Sequence, residues 1–213
     1  PPEHVLDCMS DLEKFIHAET PEIPILIKAG LVHVQFETIH PFLDGNGRVG
    51  RLLITLMLCV EGILEDPILY LSLFFKTHRR LYYDMLEDVR EDGGWERWLA
   101  FFLEGIAETS IQASNTAREI INLFDQDQTK IEGLGRPAGS ALRVHQLVQR
   151  KPIINVPAAV TQLGISAPTV RKSIHHLVDL GILREATGRK RGQTFVYNAY
   201  LSILTQGTEP LQR

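Results

Sequence analysis

The stretch HPFLDGNGRVGR, residues 40–51, is the most informative part of this sequence. Within it, GNGRVG (residues 45–50) matches the dinucleotide-binding pattern G-x-G-x-x-G. With Arg51 added it also approaches a P-loop, but Arg51 and Leu52 stand where that motif requires Lys and Ser or Thr. A P-loop is therefore excluded, because it needs that hydroxyl to hold magnesium.

A dinucleotide-binding fold requires a strand before Gly45, and LVHVQFETI (31–39) alternates like one. The longer stretch ILIKAGLVHVQFETI (25–39) also fits a buried helix, so periodicity leaves both structures open. Two observations disfavour the dinucleotide fold. No alternation of strands and helices follows, and the Asp44 carboxylate would repel a pyrophosphate unless a cation lay between them.

The residue types in this stretch fit a different phosphate site, one for ATP and magnesium. Glycines allow the amides of residues 45–47 to face a phosphate at a helix N-terminus. Asp44 can hold Mg²⁺, and Arg48 and Arg51 offer planar guanidinium groups from neighbouring parts of one helical face. As an alternative, Asp44 can cap the helix that begins near Asn46.

Histidine is the side chain best suited to accept a proton near neutral pH. His40, four residues before the Asp44 carboxylate, can therefore act as a general base toward a hydroxyl. We expect structural roles for His33, His78 and His145, which lie outside this stretch.

The sequence upstream of about residue 125 has its apolar residues mostly at helical spacing, which predicts an all-α domain. Helices are predicted over Val5–Ile16, around Tyr82–Val89, and from Trp95 to about Phe124. The segment LLITLMLCV (52–60) is apolar nearly all round, which predicts a central helix.

Charge divides the chain in two. Residues 1–136 contain 12 Lys and Arg against 23 Asp and Glu, whereas residues 137–213 contain 10 against 3. The segment DQDQTKIEGLGRPAGS (125–140) is polar and rich in Gly and Pro, which is typical of a linker. We therefore expect, in chain order, a first domain, a linker, a second domain and a tail: residues 1–124, 125–139, 140–204 and 205–213.

The basic second domain has a pattern of its own. Residues 156–183 predict a short helix, a turn at Gly164 and a second helix from about Pro168 to Leu180; ILRE and TFVYN then predict two strands around a basic turn. This arrangement resembles a small winged helix-turn-helix with a β-hairpin. The candidate contacts to double-stranded DNA are Thr169, Arg171, Lys172, Arg189, Lys190 and Arg191. A protein-docking module with a solvated basic face is the alternative.

The stretch at 40–51 also matches every specified position of H-P-F-x-[D/E]-G-N-G-R-x-x-R. It resembles the Fic family, as do HVQFETIHPF, YYDMLEDVR and WERWLAFFLEGI, so the resemblance extends from Pro1 to about Phe124. The resemblance implies an all-helical core in which residues 31–39 are helical. The expected fold class is therefore mainly α, with the small winged helix following the core.

The resemblance implies a role for each motif residue: general base (His40), loop anchor (Phe42), magnesium ligand (Asp44), anion hole (Gly45, Asn46, Gly47), α/β-phosphate clamp (Arg48) and γ-phosphate clamp (Arg51). Tyr82 and Tyr83 resemble a pair near the adenine pocket, although aromatic residues at this spacing are also typical of a core. Both interpretations of the tyrosine pair stay open.

The function implied by the resemblance is AMP transfer from ATP, with Mg²⁺, to a Ser, Thr or Tyr hydroxyl of a target protein, releasing pyrophosphate. A nucleotide-sensing DNA-binding regulator is the alternative that the basic segment favours. An inactive scaffold is disfavoured because the motif is intact. A second copy of the chain is a further candidate partner.

Family resemblance also implies an inhibitory helix and a β-hairpin flap upstream of Pro1. The similar string QTKIEG (128–133) is not expected to act as a brake, because Gln128 stands where Ser or Thr belongs. The apolar run at 52–60 is far shorter than the roughly 20 residues of a membrane span. The cysteines Cys8 and Cys59 lack metal-site spacing, and we expect a cytoplasmic protein without a membrane partner.

Overall fold

The structure is a computed structural model that describes residues 2–18, 23–65, 70–189 and 192–206. These residues form ten α-helices and three short strands, so the predicted mainly α class is confirmed. The chain divides into two compact units, Pro1–Ala113 and Ser114–Arg213. None of the helices in the described ranges combines the length and apolar character that a membrane span requires.

The first unit is entirely helical over its described residues. A short 3-10 turn (Pro2–His4) leads into α1 (Val5–His17), α2 (Ile25–Ile39), α3 (Asn46–Val60), α4 (Leu71–Thr77), α5 (Arg79–Asp92) and α6 (Trp95–Glu132), the last continuing into the second unit. The ambiguous stretch at 31–39 is therefore helical, as the family resemblance implied.

Helix α2 is the buried helix of this unit. Ala29, Val32, Val34 and Phe36 are almost completely buried, although they do not share one side of the helix. A helix covered on several faces carries apolar residues nearly all round, which explains its strand-like alternation. Helix α2, and not the segment at 52–60 in α3, is therefore the helix that the core covers on several faces, so the prediction that the segment at 52–60 is central was wrong.

Helix α3 buries one face and exposes another. Ile54, Met57 and Leu58 lie in the core, whereas an apolar stripe on the opposite face is exposed: Val49, Leu52, Leu56 and Val60. Its uniformly apolar composition therefore does not reflect burial on every side.

His33 occupies the centre of the aromatic core and is fully buried. Its ring stacks against Phe75 and Trp98, and its Nε2 lies 2.9 Å from the Tyr82 hydroxyl. Burial lowers the pKa of His33 to about 4, because the charged imidazolium would lose its hydration. The structural role predicted for His33 is confirmed.

Helix α6 continues eight residues beyond the expected end near Phe124 and includes the first part of the predicted linker. Within the second unit, Asp127 and Ile131 are buried, and Asp127 accepts hydrogen bonds from the Tyr197 hydroxyl (2.7 Å) and Lys130 Nζ (2.6 Å). Residues 125–132 look polar in sequence but pack through one helical face. The predicted linker is therefore helical over these residues, and the division of the chain into two compact units falls between Ala113 and Ser114.

The second unit contains four helices after α6 and a small sheet. In chain order these are α7 (Ala138–Arg150), β1 (Ile153–Asn155), α8 (Val156–Leu163), α9 (Ala167–Asp179), β2 (Arg184–Glu185), β3 (Thr194–Val196) and α10 (Asn198–Thr205). The sheet is antiparallel in the order β1-β3-β2, with Phe195 opposite both Ile154 and Glu185.

The two helices and two strands predicted for this unit are confirmed, whereas α7, β1 and α10 were not predicted. Asn155 begins α8 by accepting a hydrogen bond from Ala158 N–H (2.9 Å), and Gly164 ends it in the left-handed conformation. Ser166 caps α9 through Thr169 N–H. His145 is buried beneath these elements, as its predicted structural role requires. The assignment of the unit as a winged helix stays a prediction.

Candidate active site

His40 lies at the end of α2 in the left-handed conformation, with φ 52°. It is the only non-glycine residue with positive φ in the described ranges, and Pro41 after it disfavours continuation of the helix. Its exposed imidazole has Nδ1 3.4 Å from the Glu37 carbonyl, so Nε2 remains for a proton from another molecule.

Arg90 of α5 stabilises this helix end. Its guanidinium donates to the Glu37 carbonyl (3.1 Å) and to Thr38 Oγ1 (3.3 Å). The last carbonyls of a helix lack intrahelical partners, so these bonds fix the point at which the backbone turns toward His40. Sequence reasoning missed Arg90, which lies 50 residues downstream of His40.

Asn46 holds the loop between α2 and α3 closed. Its side chain is 2% exposed, accepts a hydrogen bond from Phe42 N–H (2.8 Å) and donates one to the Phe42 carbonyl (2.6 Å). Both polar atoms of the amide thus have partners within the loop, and the assignment of Asn46 to an anion hole stays a prediction. Phe42 is 48% exposed, and its ring centre lies 6.3 Å from that of the buried Phe36; its role as loop anchor stays a prediction.

The start of α3 leaves backbone amides free at the position where the sequence predicted an anion site. Gly45 precedes the helix with φ 89°, and its carbonyl accepts hydrogen bonds from the N–H groups of Arg48 and Val49. The amides of Asn46 and Gly47 make no hydrogen bond within the described part of the chain. Free amides at a helix N-terminus favour an anion such as phosphate.

Asp44 and Arg48 form an ion pair in front of these amides, with 3.2 Å between Oδ2 and Nη2. Their side chains are 92% and 76% exposed, and a pair in that setting contributes little, so a ligand can replace it readily. Asp44 Oδ1 accepts only the Gly45 N–H, at 2.7 Å. Gly45 is the residue that precedes α3, so the capping alternative for Asp44 is wrong.

Arg51 lies one turn further into α3 and is half-buried. Its Nε donates to Ser72 Oγ of α4 at 3.1 Å. Beneath it lies Glu37 of α2, which is 7% exposed and whose Oε1 has no hydrogen-bond partner among the described residues. Burial raises the pKa of Glu37, and the positive charge of Arg51 partly opposes that shift.

Sequence reasoning missed both Glu37 and Ser72. The available signal for Glu37 was a carboxylate in the mostly apolar helix ILIKAGLVHVQFETI, three residues before His40. No local signal marks Ser72, because only the tertiary fold brings α4 beside Arg51.

The glycines of GNGRVG have separate structural reasons. Gly45 adopts a positive φ, whereas Gly47 and Gly50 leave space inside α3. A Cβ at Gly47 would lie 3.0 Å from Arg51 Nη1, and a Cβ at Gly50 would lie 2.6 Å from Glu37 Oε1. The match to the dinucleotide pattern therefore has a different local cause at each glycine, and only that of Gly50 is close packing against α2.

The two tyrosines of α5 have different environments. Tyr82 is 4% exposed and makes its hydrogen bond to His33 in the core, where burial raises its pKa. The structure thus supports the core alternative for Tyr82, and its assignment to the nucleotide pocket is corrected. Tyr83 is exposed, with the Arg79 guanidinium 5.8 Å from its ring centre.

The candidate DNA contacts all belong to the second unit. Thr169, Arg171 and Lys172 are exposed in the first two turns of α9, and Arg189 is exposed after β2. Lys190 and Arg191 lie outside the described residues. The described basic residues of the two segments are thus solvent-accessible.

Comparisons with known proteins find matches in the family that the motif resembles. Residues 1–58 match the Fic/DOC family. Relatives include protein adenylyltransferase Fic of Aedes aegypti, 35% identical over 133 residues, and protein adenylyltransferase fic-1 of Caenorhabditis elegans, 29% identical over 133 residues. These matches cover 54% and 62% of this chain but only 25% of each relative. The chain therefore spans about a quarter of the length of these relatives.

A crystal structure of a Fic family protein from Desulfovibrio desulfuricans is similar with a TM-score of 0.52 and 22% sequence identity. The similarity covers 92% of this chain and 56% of that protein. At this level of identity, the likeness concerns the fold.

Proposed function

We propose that the chain transfers AMP from ATP to a Ser, Thr or Tyr hydroxyl of a protein and releases pyrophosphate. The observation that carries the proposal is the loop between α2 and α3, which presents the imidazole of His40 beside two free amides and the guanidinium groups of Arg48 and Arg51. The names of its relatives as protein adenylyltransferases support the same reaction.

In the proposed reaction His40 takes the proton of the target hydroxyl as its oxygen attacks the α-phosphorus of ATP. The bond from that phosphorus to the bridging oxygen breaks, and pyrophosphate leaves with the electron pair. The amides of Asn46 and Gly47 and the guanidinium groups of Arg48 and Arg51 stabilise the phosphate charge through hydrogen bonds. Arg48 exchanges its exposed contact with Asp44 for the nucleotide.

The residues present fit a magnesium ion that arrives with the nucleotide. Asp44 supplies one exposed carboxylate next to the phosphate-binding amides, and Mg²⁺ commonly takes one or two carboxylates together with phosphate oxygens and water. The described residues contain no cluster of three or more His, Cys, Asp or Glu that could hold an ion without phosphate. When bound, the ion would neutralise phosphate charge. Asp44 would hold it.

Mass spectrometry of the full chain and of a cell lysate after incubation with Mg-ATP tests the proposal. His40→Ala should lower AMP incorporation by about 10² to 10⁴, the usual effect of losing a positioned general base. His17→Ala is a matched control, because His17 is also an exposed histidine at the end of a helix but lies outside the motif. Undiminished incorporation by His40→Ala would refute the assignment.

The second candidate function is that of a nucleotide-sensing, DNA-binding transcriptional regulator. It is favoured by the exposed basic residues at the start of α9, on the helix that the sequence predicts to enter a DNA groove. Binding to a labelled duplex should weaken steeply as salt increases. Absence of duplex binding at low salt would leave the protein-docking alternative.

A further inference from the structure

A cavity of about 500 Å³ lies within the second unit, outside the motif of the first. Its walls come from the first turn of α7 and from α9, where Thr169, Lys172 and His176 follow one another on the same helical face. Arg136 and Ser140 complete the polar lining. The volume lies within the range of small-molecule sites.

The cavity lining is positive. Arg136 and Lys172 contribute guanidinium and ammonium groups, and none of the described residues that line the cavity is acidic. Within the described ranges, neither cation makes a hydrogen bond or an ion pair. The N-termini of α7 and α9, each 13 residues long, add positive potential to this lining.

His176, Ser140 and Thr169 also line the cavity, but their polar groups are not free for a ligand. His176 Nε2 is enclosed by protein and has no hydrogen-bond partner among the described residues. The Ser140 hydroxyl donates to the Pro137 carbonyl (3.2 Å), and the Thr169 hydroxyl lies 2.8 Å from that of Ser166. Arg136 and Lys172 are therefore the groups that the cavity offers to an anion.

We propose that this cavity is an anion site that binds a phosphate group. A guanidinium and an ammonium group match the oxygens of phosphate, and charge-assisted hydrogen bonds of this kind are the strong ones. The phosphate can belong to a free phosphorylated molecule or to the backbone of DNA. The site is independent of AMP transfer, because no motif residue lines it.

The test uses the full chain with Arg48→Ala and Arg51→Ala, so that the motif of the first unit does not contribute anion binding. Inorganic pyrophosphate is titrated by calorimetry, and a fluorescein-labelled DNA duplex by anisotropy at low salt. Arg136→Ala and Lys172→Ala should each weaken binding about tenfold, the usual effect of losing one charge-assisted hydrogen bond. Arg150→Ala is the matched control, because Arg150 is an exposed cation at the end of α7 that neither lines the cavity nor belongs to the candidate DNA contacts.

Two results support the proposal and distinguish the sources of the phosphate. Pyrophosphate binding that depends on Arg136 and Lys172, without duplex binding, indicates a free phosphorylated ligand. Duplex binding that depends on the same residues and is displaced by pyrophosphate indicates backbone phosphate. The proposal is overturned if neither probe binds, or if Arg150→Ala weakens binding as much as Lys172→Ala, since surface charge alone would then explain it. Unchanged melting temperatures verify that the variants are folded.

Discussion

Replacing Gly50 by alanine tests the packing that explains the glycine-rich stretch. The added methyl group would lie 2.6 Å from Glu37 Oε1 and 3.2 Å from the His33 ring. To restore ordinary van der Waals contact, the carboxylate oxygen must retreat by about 0.8 Å. It lies in a buried layer, and overpacking of this kind costs about 1–3 kcal/mol.

The helix itself favours alanine over glycine by about 0.5–1 kcal/mol, so the net expected loss of stability is about 1–2 kcal/mol. For a unit of this size, such a loss lowers the melting temperature by about 5–10 °C. Differential scanning calorimetry is the appropriate assay, because the two compact units can melt separately.

Gly139→Ala is the matched control. Gly139 also lies in a helix, α7, but a Cβ there would have nothing within 4 Å. This substitution should therefore stabilise the second unit by up to about 1 kcal/mol. In a Glu37→Ala background, Gly50→Ala should cost less than in the unaltered chain. If Gly50→Ala instead stabilised the first unit as Gly139→Ala does the second, Glu37 would not explain the glycine.

Two further predictions concern the first unit. Asn46→Ala removes both hydrogen bonds to Phe42 and should lower the free energy of unfolding by about 1–2 kcal/mol in urea denaturation. The control is Asn115→Ala at an exposed asparagine, which should change the free energy of unfolding by no more than about 0.5 kcal/mol. Equal effects of the two substitutions would contradict the role of Asn46 in holding the loop closed. Burial lowers the pKa of His33 from 6.5 to about 4, so between these two pH values the unfolded chain binds a proton on His33 that the folded chain does not. The free energy of unfolding should therefore fall as the pH decreases from 6.5 to about 4, by up to about 3 kcal/mol. The double variant His33→Phe with Tyr82→Phe removes both hydrogen-bond partners, and an unchanged pH dependence of its denaturation midpoint would show that His33 is not responsible.

Local sequence determined several helices of both units and the position of the motif. Pro41 predicted a stiff turn after His40, and Gly45 allowed the positive φ that begins α3. In the second unit, Gly164 and the basic turn marked the boundaries of helices and strands, because residues with such backbone preferences act through their own conformation.

Sequence also supplied the chemistry of the candidate site, because the residue types from His40 to Arg51 occupy one continuous stretch of 12 residues. The spacing of Arg48 and Arg51 placed both guanidinium groups at the start of one helix without tertiary information. The free N–H groups of Asn46 and Gly47 also followed from local sequence, because the first N–H groups of any helix lack partners within it.

Only the tertiary structure decided which side chains are free for that chemistry. It placed Glu37 and Ser72 beside Arg51. It also paired the side-chain amide of Asn46 with the backbone of Phe42 and buried Tyr82 against His33. It also showed that residues 125–132 pack as helix although their composition resembles a linker. Contacts between distant segments depend on which face each helix buries, and residue types and local spacing do not specify that choice by themselves.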